Sequence, residues 1–449
     1  MTPGAWSAVL QWSRAGAAAA VFLGLSRVLT LEQVGAFAAA AAPVRMAQVV
    51  HKAGVVEAVV LCRSPRRRRA LHGLSLFAGA VLSGAFACAA MLLPPPVGPA
   101  LMLLSPVPLL HGLGGVAEGT LRRDLRLRAL ALRAIAVQSV SAAVAFGAAA
   151  TGRGDAALPL FLLCNAGLGS AAALALAGPL PRLRPRTATL RAALPLPCLI
   201  TARALAGEAL LPALQLAVTL GFGLPAGGAM LIAARILGAL DAIALAPLRY
   251  VGLPRLAVTG PVRPALATIL RSTAAVACWT YLGAFCTAPD IAALAAGAQH
   301  APEVAPLLRP LLLFGLVSAL AVPLTQALTA AGAARLVLLR ALAVLGLSVA
   351  LAAPALLVAP ALAAAAPAAA GAAGLAWLVG TGGPRLGLTR VELLEPARLP
   401  LAAGLAMAIA VPLLPVQALP PAQALAAKAA LGTVVFAGVL SLRRRPRPA

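Results

Sequence analysis

The stretch LSRVLTLEQVGAFAAAAAPVRMAQVVHKAGVVEAVVLCRSPRRRR, Leu25 to Arg69, decides the fold. One apolar segment ends near Leu29, and Thr30 to Gly35 form a short polar corner. A second apolar segment, Gly35 to Leu61, carries Arg45, His51, Lys52 and Glu57. It stops at the basic run Arg63-Ser64-Pro65-Arg66-Arg67-Arg68-Arg69. Two segments of membrane-crossing length, joined by a tight corner and closed by positive charge, read as a membrane hairpin.

The same pattern recurs along all 449 residues, of which 62% are hydrophobic and 10% charged. A soluble domain carries about 25% charged residues, so this chain lacks the polarity to cover a water-facing surface. Apolar runs of roughly 20 residues alternate with Arg, Pro and Gly, which predicts helices that cross a bilayer. Period-two alternation is absent, which argues against a transmembrane barrel. Met1 to Ala20 has no basic segment before its apolar part, and Arg14 interrupts it, so it reads as a retained first membrane helix. The six cysteines lie in apolar segments without CxxC spacing and read as buried thiols.

About fourteen spans are expected. The first two are Ala5–Leu29 and Gly35–Leu61, the seventh and eighth Leu194–Leu220 and Pro225–Val251, and the last two Leu399–Leu414 and Ala422–Leu440. Their connections alternate. Arg63–Arg69, Arg122–Arg133, Pro181–Arg191, Arg249–Arg263, Arg335–Arg340, Arg385–Arg398 and the tail Arg443–Arg447 are basic, and those between them are nearly free of positive charge. By the positive-inside rule both termini face the cytoplasm. The net charge of +25 therefore reads as topology and contact with anionic lipids, and nucleic acid is excluded as a partner because no binding motif or aromatic interleaving accompanies it. Leu121–Arg128 and the stretch around Leu183–Leu194 have the composition of interfacial helices, with topology signalling as the plainer reading. The longest outer connection, Ala288 to Glu303, is too short for a soluble domain.

Charge inside a span costs about 2.5–3.5 kcal/mol on insertion scales and normally meets a partner or a water-filled cavity. Such residues concentrate in four spans: Arg14 and Arg27 in the first, Arg45, Lys52 and Glu57 in the second, Arg203 and Glu208 in the seventh, Arg235 and Asp241 in the eighth. Arg45 and Lys52 are seven apart, hence on one helix face and separated by about 10 Å. Pro43 just before them should loosen the helix. Gly35-Ala36-Phe37 and Gly228-Ala229-Met230 form a weak internal repeat near the starts of the second and eighth spans. The expected architecture is an all-α polytopic membrane protein: two pseudo-symmetric six-helix bundles at residues 1–180 and 190–380, two extra membrane helices at 397–440 and a basic tail at 441–449. Arg14, Arg45, Lys52, Arg203 and Arg235 would line a cationic cavity for a phosphate or acidic sugar, with Glu57, Glu208 and Asp241 as counter-charges or proton sites. The alternative is a set of structural ion pairs with snorkelling arginines. His51 offers a possible relay proton; His72, His111 and His300 show no pattern, Lys428 stands isolated, and no metal, cofactor or catalytic motif occurs.

Leu25 to Thr30, the Glu32 to Gly35 corner, Gly54 to Val60, Ala234 to Leu237, Leu253 to Ala257, Ala305 to Arg309 and Gln326 to Gly332 resemble the bacterial polysaccharide flippases. These are the oligosaccharide-lipid branch of the multidrug/oligosaccharidyl-lipid/polysaccharide exporter superfamily. The resemblance covers most of residues 1–350 as pattern. It implies two six-helix bundles around a central cavity lined by the first two helices of each half. It also implies alternating-access transport of undecaprenyl-diphosphate-linked oligosaccharide across the inner membrane, without covalent chemistry. The implied partners are the lipid-linked oligosaccharide, membrane lipids, and a glycan polymerase with its chain-length machinery. A multidrug exporter of the same superfamily and a membrane glycan polymerase or ligase are the alternatives. The first calls for an acidic, aromatic cavity, the second for a large outer loop with paired catalytic residues.

Overall fold

A computed structural model describes residues 16, 18–62, 64–178, 195–245, 262–415 and 419–442. Among the described residues every regular element is helical. Eleven helices are long and apolar enough to cross a membrane. They are the expected third to sixth and eighth to fourteenth spans, from Arg66–Leu92 to Pro421–Ser441. The first half of the first span lies outside the described residues, and 18–26 are helical. The second and seventh are helical too, but both are interrupted, and both carry charge in mid-course.

The second span begins at Leu31, inside the expected corner and four residues before Gly35, because Thr30 caps it. The Thr30 hydroxyl accepts from Gln33 N–H at 3.2 Å, and the Gln33 side chain accepts from Thr30 N–H at 3.1 Å. This reciprocal capping box satisfies two of the donors that a helix start leaves over. The helix runs Leu31–Val49, widens into a π-turn at Val50–Val55 and ends as Val56–Leu61. The seventh span breaks into Pro195–Glu208 and Leu210–Phe222. Pro212 has no N–H to offer the Glu208 carbonyl, so the backbone opens beside that carboxylate.

By internal packing the chain divides into two compact units, Met1–Leu231 and Ile232–Ala449. The division falls within the eighth span rather than in the 180–190 connection, because the seventh span and the start of the eighth pack on the second. Gln215, buried in the seventh span, donates from Nε2 to the Ala38 carbonyl at 2.7 Å. A Cβ on Gly54 would overlap the Thr201 hydroxyl. At the start of the eighth span, Leu224–Ala244, the contact is reciprocal. A Cβ on Gly35 would overlap the Leu224 carbonyl oxygen, and one on Gly228 would overlap that of Leu31. Leu31 lies four residues before Gly35, as Leu224 does before Gly228. The two glycine motifs of the internal repeat therefore meet each other, first turn against first turn.

Val55, Ala58, Val59, Cys62, Ala70, Leu71 and Val116 form a core cluster of the first unit. In the second unit Leu266, Ile269 and Leu270 pack with Leu324, Leu328, Leu378 and Leu393. The last two spans pack on the ninth: Gly404 lies against Leu282 and Cys278, and Trp279 Nε1–H donates to the Thr433 hydroxyl at 3.2 Å.

Several expectations are corrected. Leu121–Arg128 is not an interfacial helix. The fourth span continues to Arg123, Leu125 turns the chain at φ 53°, and the fifth starts at Leu127. Arg126 instead donates to the Leu176 carbonyl at 2.7 Å, serving the last turn of the sixth helix. The outer connection from Ala288 is helical through Ala296. Lys428 is not isolated; it pairs with Asp290 of that helix at 2.7 Å. The stretch around Leu183–Leu194, the resemblance at Leu253–Ala257 and the tail from residue 443 lie outside the described residues.

Gly35→Ala or Gly228→Ala should force the seam apart and lower stability by about 1–3 kcal/mol. Gly84→Ala, where the added methyl meets nothing within 4 Å, should be neutral or slightly stabilising. Thermal unfolding of the detergent-purified variants separates the two outcomes.

Candidate functional site

The site is built on the middle of the second span. Arg45, Gln48 and Lys52 follow one another at intervals of three and four residues, so they lie on neighbouring turns. Arg45 is half-buried, with its guanidinium carbon 5.8 Å from the centre of the Phe37 ring. That distance suits a cation–π contact. Lys52 is exposed, and its ammonium donates to Gln48 Oε1 at 3.1 Å. Gln48 itself is 6% exposed.

His51 shares the π-turn with Lys52 but faces the bundle, at 1% exposure. Its Nδ1 is 3.1 Å from the Ser75 hydroxyl, which donates to the Gly112 carbonyl at 3.1 Å. Since the single hydroxyl proton goes to that carbonyl, the imidazole must donate from Nδ1. The π-turn is thereby tied to the third and fourth spans. A π-turn inside an α-helix frequently marks a functional site.

The structure brings together some of the expected residues. The helix that ends at Glu208 packs on the π-turn carrying Lys52 and on Val56–Leu61, which carries Glu57, and all three side chains are exposed. Gln215, seven residues beyond Glu208, is a buried link to the second span, and the break at Ala209 separates the two. Arg14 lies outside the described residues. Arg203 lies in the helix Pro195–Glu208, its side chain outside them. Arg235 and Asp241 belong to the second unit, where the buried Tyr281 hydroxyl donates to Asp241 Oδ1 at 3.1 Å. Arg45 and Lys52 differ more than their spacing suggests: one rests on a ring, the other leaves the π-turn exposed.

Sequence reasoning missed a second polar centre. Glu118 accepts from Arg122 at 2.6 Å and from Arg133 at 2.8 Å, and the Arg133 side chain is only 7% exposed. Arg133 also donates to the Gly169 carbonyl at 3.3 Å. It had been counted as part of a basic connection, yet it lies inside the fifth helix, Leu127–Ala150. The legible signal was the four-residue spacing of Glu118 and Arg122. His111, also passed over, lies in the fourth span next to Gly112, whose carbonyl accepts from Ser75. Among the described residues no cluster of His, Cys, Asp or Glu could hold a metal ion.

An all-helical, multi-pass chain whose charges lie within membrane-crossing helices has the architecture of a membrane transporter. A family model described as "Polysaccharide biosynthesis protein" matches residues 25–305, and the chain belongs to that family. Its fold recurs in solved structures. One titled "Lipid II flippase MurJ, inward closed conformation" is 12% identical with a TM-score of 0.79, covering 98% of each chain. Another, "Crystal structure of MATE in complex with MaL6", is 13% identical at TM-score 0.58, covering 86% of this chain and 97% of its own. A MOP-superfamily transporter from Pyrococcus furiosus is 14% identical at TM-score 0.55, covering 86% and 96%. No curated protein matches in sequence. The family is thus that of polysaccharide biosynthesis proteins, and the fold is one shared with a lipid II flippase and with a MOP-superfamily transporter.

Arg133→Met removes a charge-assisted hydrogen bond to Glu118 and should cost about 2 kcal/mol. Adding Glu118→Gln should not recover that loss, since Arg122 still pairs with the carboxylate in the single variant. Thermal unfolding of the single and double variants measures both.

Proposed function

We propose that the protein flips a polyprenyl-diphosphate-linked oligosaccharide from the inner to the outer leaflet of the cytoplasmic membrane, for surface polysaccharide biosynthesis. The observation that carries this reading is the cationic row of Arg45 and Lys52 within a membrane-crossing helix, with a donor amide between them. A diphosphate cannot cross hydrocarbon bare. A cation about 4 Å from a phosphate oxygen contributes on the order of 4 kcal/mol at an effective dielectric of 20. Two such cations offset much of the cost of leaving water, while the lipid tail stays in the bilayer. A cationic drug would meet the same residues as like charges, which makes drug export the weaker reading. The likeness in fold to a structure whose title names lipid II as its cargo supports a lipid-linked substrate.

In this reading the basic connections face the cytoplasm, as do both termini. Arg14, Arg203 and Arg235 would extend the anion-binding surface of a cavity between two six-helix halves. Transport would proceed by alternating access. The seam of Leu31 and Gly35 against Leu224 and Gly228 lies at the non-basic, outer ends of its helices, so it would part whenever the cavity opens outward. Glu57, Glu208 or Asp241 would couple the cycle to protons or sodium. The flipped cargo would pass to a glycan polymerase and its chain-length machinery.

Transport of a fluorescent polyprenyl-diphosphate oligosaccharide in proteoliposomes tests the proposal. Wild type should flip it, and Arg45→Ala and Lys52→Ala should lower flipping at least tenfold, the equivalent of about 1.4 kcal/mol each, while remaining folded. A wild type inactive on several glycans would overturn the reading. Flipping indifferent to both ion gradients would remove the coupling role of the carboxylates.

A further inference from the structure

We infer that Gln48 is a positioning residue that aims the Lys52 ammonium at the phosphate oxygens of the cargo, while the His51–Ser75–Gly112 chain anchors the turn carrying both. The inference rests on the reading of Lys52 as a cargo contact. A lysine ammonium is a point charge on a flexible stem of four carbons. In this chain it projects from a π-turn, Val50–Val55, where the backbone is wider than in an α-helix. Left alone, such a charge would sample many rotamers, and ordering it would weaken cargo binding.

Gln48 removes that freedom. Its Oε1 accepts from Lys52 Nζ at 3.1 Å across one helical turn. The contact also fixes which way the amide points, because the ammonium can only donate and so must face the carbonyl. The amide nitrogen then turns away from Lys52, is buried, and has no hydrogen-bond partner among the described residues. A buried amide with half of its capacity unused costs free energy that a leucine would not. Stability therefore gives no reason for glutamine here; the hold on Lys52 does.

The turn is fixed from the other side. His51 hydrogen-bonds to Ser75 of the third span, and Ser75 to the Gly112 carbonyl of the fourth. Gly112 is required for that approach, since a Cβ would come within 2.7 Å of the Ser75 carbonyl oxygen. Backbone and side chain of the Lys52 turn are thus held by separate buried partners, which is how a binding charge is preorganised.

The test is a double-mutant cycle in proteoliposomes, with flipping rate measured against the mole fraction of a fluorescent polyprenyl-diphosphate oligosaccharide. Gln48→Leu should raise the half-saturating mole fraction by about tenfold and leave the maximal rate nearly unchanged. On a Lys52→Ala background the same substitution should add nothing, because the group it positions is gone. Gln48→Glu, isosteric and still an acceptor, should keep the fold but neutralise the ammonium, raising half-saturation as far as Lys52→Ala does. Additive effects of Gln48→Leu and Lys52→Ala, or an unchanged half-saturation in Gln48→Glu, would overturn the positioning role. If Lys52→Ala alone changes nothing, the cargo-contact reading fails and takes this inference with it.

Discussion

Backbone amides have no water to bond to inside a bilayer, so every N–H and C=O must find a partner within the protein. That requirement makes the chain helical, and it gives meaning to the places where the helix departs from its regular ladder. The second span departs twice, at Pro43 and at the π-turn Val50–Val55. The seventh departs at Ala209, one turn before Pro212. Buried side chains tie the second span to its neighbours near these places: Gln215 reaches the Ala38 carbonyl, and His51 and Ser75 pin the π-turn. The exposed charges Lys52, Glu57 and Glu208 all cluster where the ladder is broken. A widened turn aims side chains differently from a regular helix, so the polarity and the irregularity are two sides of one construction.

Helices in lipid gain little from burying apolar surface against one another, and close van der Waals approach takes over as the adhesive. The abundance of Ala and Gly, with only 4% aromatic residues, fits that demand. Gly35, Gly54, Gly112, Gly119 and Gly228 each lie where a methyl group would collide with a neighbouring span. The reciprocal contact of Gly35 and Gly228 is the most exacting, because backbone meets backbone and no side chain can move aside.

The charges in the membrane fall into groups with different physics. Glu118 pairs with both Arg122 and Arg133, and Arg133 also serves the Gly169 carbonyl, which makes the three part of the bundle's frame. Asp290 and Lys428 do the same between the last span and the helix Ala288–Ala296. Lys52 donates to the neutral amide of Gln48, a contact that orders the ammonium within its own helix rather than joining two helices.

The sequence by itself determined the membrane-spanning helices, because crossing hydrocarbon needs a run of apolar residues that nothing else produces. It likewise determined the family, and it showed that charge gathers in the second, seventh and eighth spans. Spacing along one helix could not reveal the π-turn, since hydrogen-bond registers shift through packing against Ser75 and Gly112, some 24 and 61 residues away along the chain. Nor could it show that Arg133 is a buried partner of Glu118 and Lys428 a partner of Asp290. A cation beside an apolar segment looks the same whether it snorkels to the headgroups or turns inward to a carboxylate. The repeat was legible as two short motifs, but only the tertiary structure placed Gly35 against Leu224 and Gly228 against Leu31, because contact between distant helices is decided by which surfaces fit.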